Sequence, residues 1–595
     1  MKGLLKYLKE YKKESILAPL FKMLEASFEL FVPIVVARII NVGIGEQDKG
    51  YIISMCLVMV LLGVIGLVCS VTAQYFAAKA ATGFARKLRY EMFAHIQKLS
   101  YSKLDKAGTA TLITRMTSDV NQVQSGVNMF LRLFLRSPFI VIGAVIGAFY
   151  VDSRAALVFA LAVPVLSLVV FGIVFINIPL YKKVQNGLDK VLLATRENLN
   201  GIRVIRAFHK EADEIGEFDR KNGELTRIQL FAGRISALLN PVTYVIINIA
   251  LIALLYQGAV RVNTGAILQG DVIALVNYMS QILVELIKLA NLIVTLTKAM
   301  ACASRIESVM EIPEGMTEAK EKEGNRDERD TEENDNCVMR EQPASEQTAS
   351  DHVVFDHVGF TYEGAGAEVL TDMNFSVKRG ETVGIIGGTG SGKSTLVQLI
   401  PRFYDATVGK VLVDGKDVRE YDPDELRKKI GVVPQKAVLF KGTIRDNLLF
   451  GRQEASSGEL EEAITVAQAK EFIAQKKGGL DALVEQGGRN LSGGQKQRMT
   501  IARALVRRPE ILILDDSCSA LDYATDAALR AGIKKLSYHP TVFVVSQRTA
   551  SIQYADKIIV LDDGQIVGIG THDELMKSCQ VYQEIYDSQY KKEGQ

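Results

Sequence analysis

At 595 residues the chain is too long for one folding unit, so two or more domains are expected. Hydrophobic residues make up 48% and charged residues 23%, but the long charge-free apolar runs all fall in the first half. A net charge of +2 gives no reason to expect a nucleic-acid partner, and six scattered cysteines (Cys56, Cys69, Cys302, Cys337, Cys518, Cys579) without CxxC spacing argue against a disulfide framework or zinc site.

Residues 1–15 form an amphipathic stretch, with Lys2, Lys6, Lys9, Lys12 and Lys13 against Leu4, Leu5, Tyr7 and Leu8. The pattern suits a helix lying on the cytoplasmic face of a membrane, not a cleavable signal. Residues 16–310 read as a membrane domain. A helix needs about 20 apolar residues to cross about 30 Å of hydrocarbon. Segments 51–78, 155–181 and 235–260 contain no charge at all; 16–40, 121–151 and 272–296 carry a few. Six spans are expected.

The Lys- and Arg-rich segments 79–120 and 182–234 are long, whereas the connections at 41–50, 152–154 and 261–271 are short. The basic segments therefore face the cytoplasm, together with both termini, in the cytoplasmic (inner) membrane of a cell. Apolar residues recur through them, for example Phe84, Leu88, Met92, Phe93 and Ile96. Helices projecting beyond the bilayer are expected, turning through short connecting helices near 100–106 and 211–218.

Charges within spans are costly and face a partner or a cavity. Glu25 and Glu29 lie one turn apart on the first span, Arg132 and Arg136 on the third, and Glu285 and Lys288 on the sixth. Two readings stand: ion pairs between these acids and bases, or a cargo cavity in which Glu25, Glu29 and Glu285 favour cationic cargo. From 311 to 352 apolar content collapses and acids outnumber bases, so a flexible acidic linker is expected.

The second half, 353–590, reads as a soluble α/β domain. The apolar strand 383–386 runs into Gly387-Gly388-Thr389-Gly390-Ser391-Gly392-Lys393-Ser394-Thr395 and then a helix. This is the strand–GxxxxGK[ST]–helix arrangement of a phosphate-binding loop. Its glycines let backbone N–H groups approach phosphate, Lys393 reaches the β- and γ-phosphates, and the Ser394 hydroxyl ligates Mg²⁺. A second strand, 511–514, delivers Asp515 to the Mg²⁺ shell. Between them lies Leu491-Ser492-Gly493-Gly494-Gln495, followed by a basic helix.

With that pentapeptide the chain resembles the ABC transporter family, exporter type, in which it is the signature motif. The resemblance covers nearly the whole chain. It implies an all-α transmembrane domain of six helices with long cytoplasmic extensions, followed by an α/β P-loop ATPase domain. It further implies that Tyr362 stacks on the adenine of ATP, that Gln435 is the Q-loop glutamine near Mg²⁺, and that Asp522 closes the D-loop, 519–522. The stretch 485–488 resembles the segment that senses the connecting helices.

Two positions depart from the family pattern. Asp516 stands where the family has the glutamate that polarises the attacking water, and Gln547 where it has the histidine that contacts the γ-phosphate. An aspartate reaches about 1.5 Å less far, and a neutral glutamine carries no charge. In such transporters two nucleotide domains meet head to tail, each ATP lying between one chain's phosphate loop and the other's signature. The resemblance therefore implies a slow site on this chain and an intact signature donated to a different, homologous partner, as in heterodimeric bacterial multidrug exporters. The activity implied is ATP-driven efflux of hydrophobic or amphipathic molecules by alternating access. Peptide or lipid export, an exporter-like importer, and an ATP-gated channel or sensor are the rivals.

Overall fold

The computed structural model describes residues 3–315 and 351–590, so most of the acidic segment 311–352 lies outside the described residues. The chain divides into two compact units, one of residues up to Leu99 with Ala107–Glu314, the other of Ser100–Lys106 with the chain from Gly315 onward.

Six helices of the first unit are long and apolar enough to cross a membrane: α1 (Leu4–Ile44), α2 (Lys49–Lys98), α3 (Thr109–Val151), α4 (Leu157–Asn200), α5 (Glu211–Asn263) and α6 (Gln269–Met310). Five of the six expected spans lie inside these helices, and the fourth, 155–181, starts two residues before α4. At about 1.5 Å per residue, the fifty residues of α2 reach about 75 Å, more than twice the hydrocarbon thickness. The surface of α2 changes along its length. Ala73, Ala77, Ala80, Ala81, Ala85 and Leu88 are buried at three- and four-residue intervals, whereas Ile53, Leu57, Val60, Val64, Leu67 and Val71 are exposed. Small residues let a neighbouring backbone approach closely, and the large aliphatic side chains suit lipid.

Two expectations need correction. The apolar edge of the N-terminal stretch does not lie free for a membrane surface, because Leu4 and Tyr7 are buried in a cluster with Phe84, Leu88 and Met92, and only Leu5 of the edge is exposed. The second connecting helix is Ile202–Ala207, not 211–218. Residues 211–218 open α5 instead, where Glu211, Asp213 and Glu214 fill the first turn. Acids there complement the positive end of the helix dipole. The first connecting helix, Tyr101–Ala107, falls where expected.

The second unit is built on two main sheets. The antiparallel one has the order β2–β1–β4–β5, from β1 (Asp351–Phe360), β2 (Leu370–Lys378), β4 (Val408–Val413) and β5 (Lys416–Asp417). The larger has the order β12–β11–β3–β10–β9–β6, from β3 (Thr382–Gly387), β6 (Ile430–Val433), β9 (Ile511–Asp515), β10 (Thr541–Val545), β11 (Lys557–Asp562) and β12 (Gln565–Gly570). A two-stranded ladder joins β7 (Gly442–Thr443) to β8 (Leu483–Val484). Strands β11, β3, β10, β9 and β6 run parallel and are apolar almost throughout, as expected of a sheet covered on both faces. Their register sets Val545 beside both Ile385 and Asp515, so the C-terminal ends of β3, β9 and β10 converge. That is the edge at which open parallel sheets bind ligands.

At the opposite end of the same strands His352 is buried, its Nδ1 2.7 Å from Thr541 Oγ1 and its Nε2 3.5 Å from Asp414. Arg379 and Lys429 each lie 2.6 Å from Asp414, and Arg379 lies 2.8 Å from Glu510. Burial, with Arg379 and Lys429 nearby, holds the imidazole below the ordinary histidine value of 6.5 despite the opposing carboxylates. A histidine kept neutral in this way takes up its proton at lower pH in the folded chain than in the unfolded one. The stability it contributes above pH 6.5 is lost as pH falls through the interval below that value. Replacing His352 with Gln should flatten this part of the unfolding profile, measured as the thermal midpoint between pH 7.5 and 5; an unchanged slope would contradict the assignment.

Candidate nucleotide-binding site

Strand β3 delivers the loop 388–392, and helix α7 (Lys393–Leu399) leaves it. Gly390 and Gly392 have φ of 88° and 91°, the left-handed region that glycine alone enters freely. A Cβ at Gly392 would also lie 2.5 Å from Leu370 Cδ2. At Gly388 a Cβ would meet nothing within 4 Å, so packing does not require that glycine. A bare outer rim is what a backbone cradle for phosphate needs. Lys393 Nζ donates to the carbonyls of Gly387 and Gly388 at 3.0 and 2.5 Å, which holds the ammonium over the loop. Burial lowers its pKa, and the carboxylates of Asp516 and Asp515 oppose that shift.

Asp515 closes β9 and accepts from Ser394 Oγ at 2.7 Å. Burial raises its pKa, the Ser394 bond opposes this, and the neighbouring Asp516 charge adds to the rise. Gln435 follows β6 and donates from Nε2 to Asp516 Oδ2 at 3.1 Å. Ser394 with Asp515 and Gln435 with Asp516 thus form two hydrogen-bonded pairs at adjacent positions, and their hard oxygen atoms fit Mg²⁺ better than a softer metal. Asp516 has φ of 46°, and its N–H donates to Val545 O at 3.0 Å. Aspartate tolerates this left-handed geometry better than most residues.

Gln547, two residues beyond β10, is exposed, and its backbone carbonyl accepts from Gln589 Nε2 at 2.7 Å. Gln589, on α10 (Gln580–Tyr590), also accepts from the Thr549 N–H at 3.0 Å, so the C-terminal helix clamps the loop that carries Gln547. Next to it, Arg548 donates to the carbonyls of Leu521 and Ser519 at 3.2 and 3.0 Å and ties this loop to the D-loop. Sequence reasoning missed both Arg548 and Gln589, because each acts through backbone groups that no motif marks.

Tyr362 follows β1, with its hydroxyl 3.0 Å from Thr395 Oγ1 on the first turn of α7. The signature lies apart from this constellation. Ser492 caps α8 (Gly493–Val506): its Oγ accepts from Gln495 N–H, and its own N–H donates to Gln495 Oε1. Among the described residues no hydrogen bond or ion pair joins Leu491, Ser492, Gly493, Gly494 or Gln495 to the phosphate loop, Gln435 or Asp516. Asp522 likewise serves locally, capping the N-terminus of α9 (Tyr523–Lys534) through Thr525.

In the membrane unit both expected ion pairs and a cavity are present. Arg136 donates to Glu285 at 2.5 Å and Glu29 at 2.6 Å and lies 3.9 Å from Glu25, while Lys22 binds Glu25 at 2.5 Å and Lys288 binds Glu285 at 2.8 Å. Lys22 completes the network and Arg132 does not join it; the buried Arg132 Nε has no hydrogen-bond partner among the described residues. Glu29 and Glu285 line a cavity of about 340 Å³ with Pro33, Asn277, Ser280 and Gln281, and Glu25 is not on its wall.

The model of the ABC transporter transmembrane region matches residues 15–286, and that of the ABC transporter ATPase domain matches residues 370–519. An uncharacterized ABC transporter ATP-binding protein of Mycobacterium tuberculosis (strain CDC 1551 / Oshkosh) is 37% identical over 589 residues, 98% of this chain and 97% of that one. The chain belongs to the ABC transporters. It is an ABC exporter with fused transmembrane and ATPase domains, and hence an ATP-hydrolysing, multi-pass membrane protein. The exporter is 30% identical to the ATP-dependent lipid A-core flippase of Escherichia coli (strain K12), over 98% of this chain and 96% of the flippase. Its fold matches a bacterial Atm1-family ABC exporter solved with ATP bound, with a TM-score of 0.77, 24% identity and coverage of 97% and 98% of the two chains.

Proposed function

We propose that this exporter works as one half of an asymmetric pair, binding ATP·Mg²⁺ at its own site, cleaving it slowly, and lending an intact signature to a homologous partner. Lys393 and the loop backbone hold the phosphates, Tyr362 stacks on adenine, and Ser394, Asp515 and Gln435 hold the ion. An Mg²⁺ ion held by these residues would supply positive charge against the charge that develops on the phosphate.

The observation that carries the proposal is the seat of Asp516. A general base must come within about 3.2 Å of the proton it takes. The Asp516 carboxylate is one methylene short of the family's glutamate and already accepts a hydrogen bond from Gln435. Gln547 offers only a neutral amide at the second altered position. The separation of the signature from the phosphate loop within one chain supports a site completed by a second subunit. The chain purified alone should therefore retain ATP and turn it over at about 1% or less of the rate of the pair isolated from native membrane. Equal rates would end the asymmetric reading.

For cargo we propose hydrophobic or amphipathic molecules exported across the cytoplasmic membrane, with both termini cytoplasmic. The cavity of mixed polar and apolar wall supports that class. A lipid is the second reading, favoured by the similarity to the lipid A-core flippase.

A further inference from the structure

The segment Ser100–Lys106, most of the first connecting helix, packs within the ATPase unit. Its contacts there are specific. The Tyr101 ring lies 4.6 Å from that of Phe403 and 6.5 Å from that of Tyr404. Tyr404 donates its hydroxyl to Asp105 Oδ2 at 2.7 Å. One residue further along, Ser102 and Lys106 bind Glu363 at 3.2 and 2.9 Å.

Both anchors lead to the same residue. Glu363 is the covalent neighbour of Tyr362. The Tyr404 ring meets the Tyr362 ring edge to face, 5.3 Å away at 84°, and Phe360 closes the cluster at 5.7 Å from Tyr404 and 4.7 Å from Tyr362. Edge-to-face aromatic pairs have a preferred geometry, so turning one ring disfavours the position of the next. Burial and the Asp105 carboxylate push the Tyr404 phenol pKa upward, which keeps the donor proton in place. Tyr362 also reaches Thr395 on α7, so the cluster is tied at one end to the phosphate loop and at the other to the connecting helix.

We propose that Tyr404 is a positioning residue that reads the nucleotide base, fixing the Tyr362 ring for stacking and passing its displacement through Asp105 to the connecting helix. The phosphates are sensed at the loop itself, whereas the base is sensed through this aromatic relay. The connecting helix thereby distinguishes ATP from a bare polyphosphate. The proposal rests on the reading of Tyr362 as the residue that stacks on adenine.

The test uses the full chain in lipid nanodiscs, with ATP and inorganic tripolyphosphate as probes and a nitroxide label at position 102 (Ser102→Cys) to report the motion of the connecting helix. Loss of one hydrogen bond worth about 1 kcal/mol corresponds to about five-fold in affinity. Tyr404→Phe and Asp105→Ala should each weaken ATP binding by about five-fold, leave tripolyphosphate binding unchanged, and abolish the ATP-induced change in label mobility. A purely structural role for Tyr404 would weaken both probes equally, and that result would overturn the proposal. If Tyr362→Ala removes the preference for ATP while both relay variants retain it and the label still responds, the base is read at Tyr362 without a relay. If Tyr362→Ala leaves the preference intact, the stacking assignment itself is wrong, and the relay falls with it.

Discussion

Restoring the two family residues, Asp516→Glu with Gln547→His, should raise ATP hydrolysis by assemblies of this chain alone by about 10²-fold or more. The added methylene carries the carboxylate about 1.5 Å further from β9, and the imidazole replaces a neutral amide with a group that can bear charge near neutral pH. The other groups that the proposed site uses are in place. Lys393 is held over the loop, Ser394 is bonded to Asp515, and the signature of a second copy is intact. The glutamate is not free of conformational penalty, since residue 516 sits at φ of 46°, where glutamate is less at ease than aspartate by about 1 kcal/mol. A slightly lower unfolding temperature with much higher turnover is the expected pair of results. Turnover that stays at the parent's level, with ATP still bound, would place the defect outside these two residues. Each single variant separates the base from the γ-phosphate contact, and the two should combine more than additively if they act on one transition state.

What could be read in advance divides by how local the signal is. The charge-free runs and the phosphate loop declare themselves, because hydrophobic length and glycine spacing are properties of contiguous sequence. The strand ending in Asp515 is legible for the same reason. The second connecting helix begins at Ile202, nine residues before the expected 211, since nothing in the apolar pattern marks the break at Gly201; the three acids at 211–214 are the sign that α5 begins there. The opposite fates of Leu4 and Leu5 depend on which side of the N-terminal stretch meets α2, a tertiary fact. At the nucleotide site the missing information was of the same kind. Gln589 reaches Gln547 across 42 positions and Tyr404 reaches Asp105 across 299, in both cases through contacts that only folding creates.

Arg136 should prove the most sensitive residue of the membrane unit. It joins α3 to Glu29 on α1 and Glu285 on α6, and only 7% of its side chain is exposed. Around it three carboxylates (Glu25, Glu29, Glu285) face three bases (Lys22, Arg136, Lys288), so the group is neutral as a whole. Arg136→Met removes one base of similar length and strands the Glu285 carboxylate, of which 3% is exposed, with Lys288 and Ser137 as its remaining partners. Breaking a buried pair from one side costs about 3–5 kcal/mol, because the leftover charge stays desolvated. Removing both sides is far milder, so Arg136→Met with Glu285→Gln should recover most of the loss. Thermal unfolding in detergent distinguishes the cases: a large drop for the single variant, and a midpoint near the parent's for the pair. If Arg136→Met unfolds with the parent, the three helices are held by packing alone and the charges are free to serve cargo. If instead the double variant recovers stability but not transport, the same carboxylates that balance Arg136 are needed at the cavity wall, where Glu29 and Glu285 meet whatever enters.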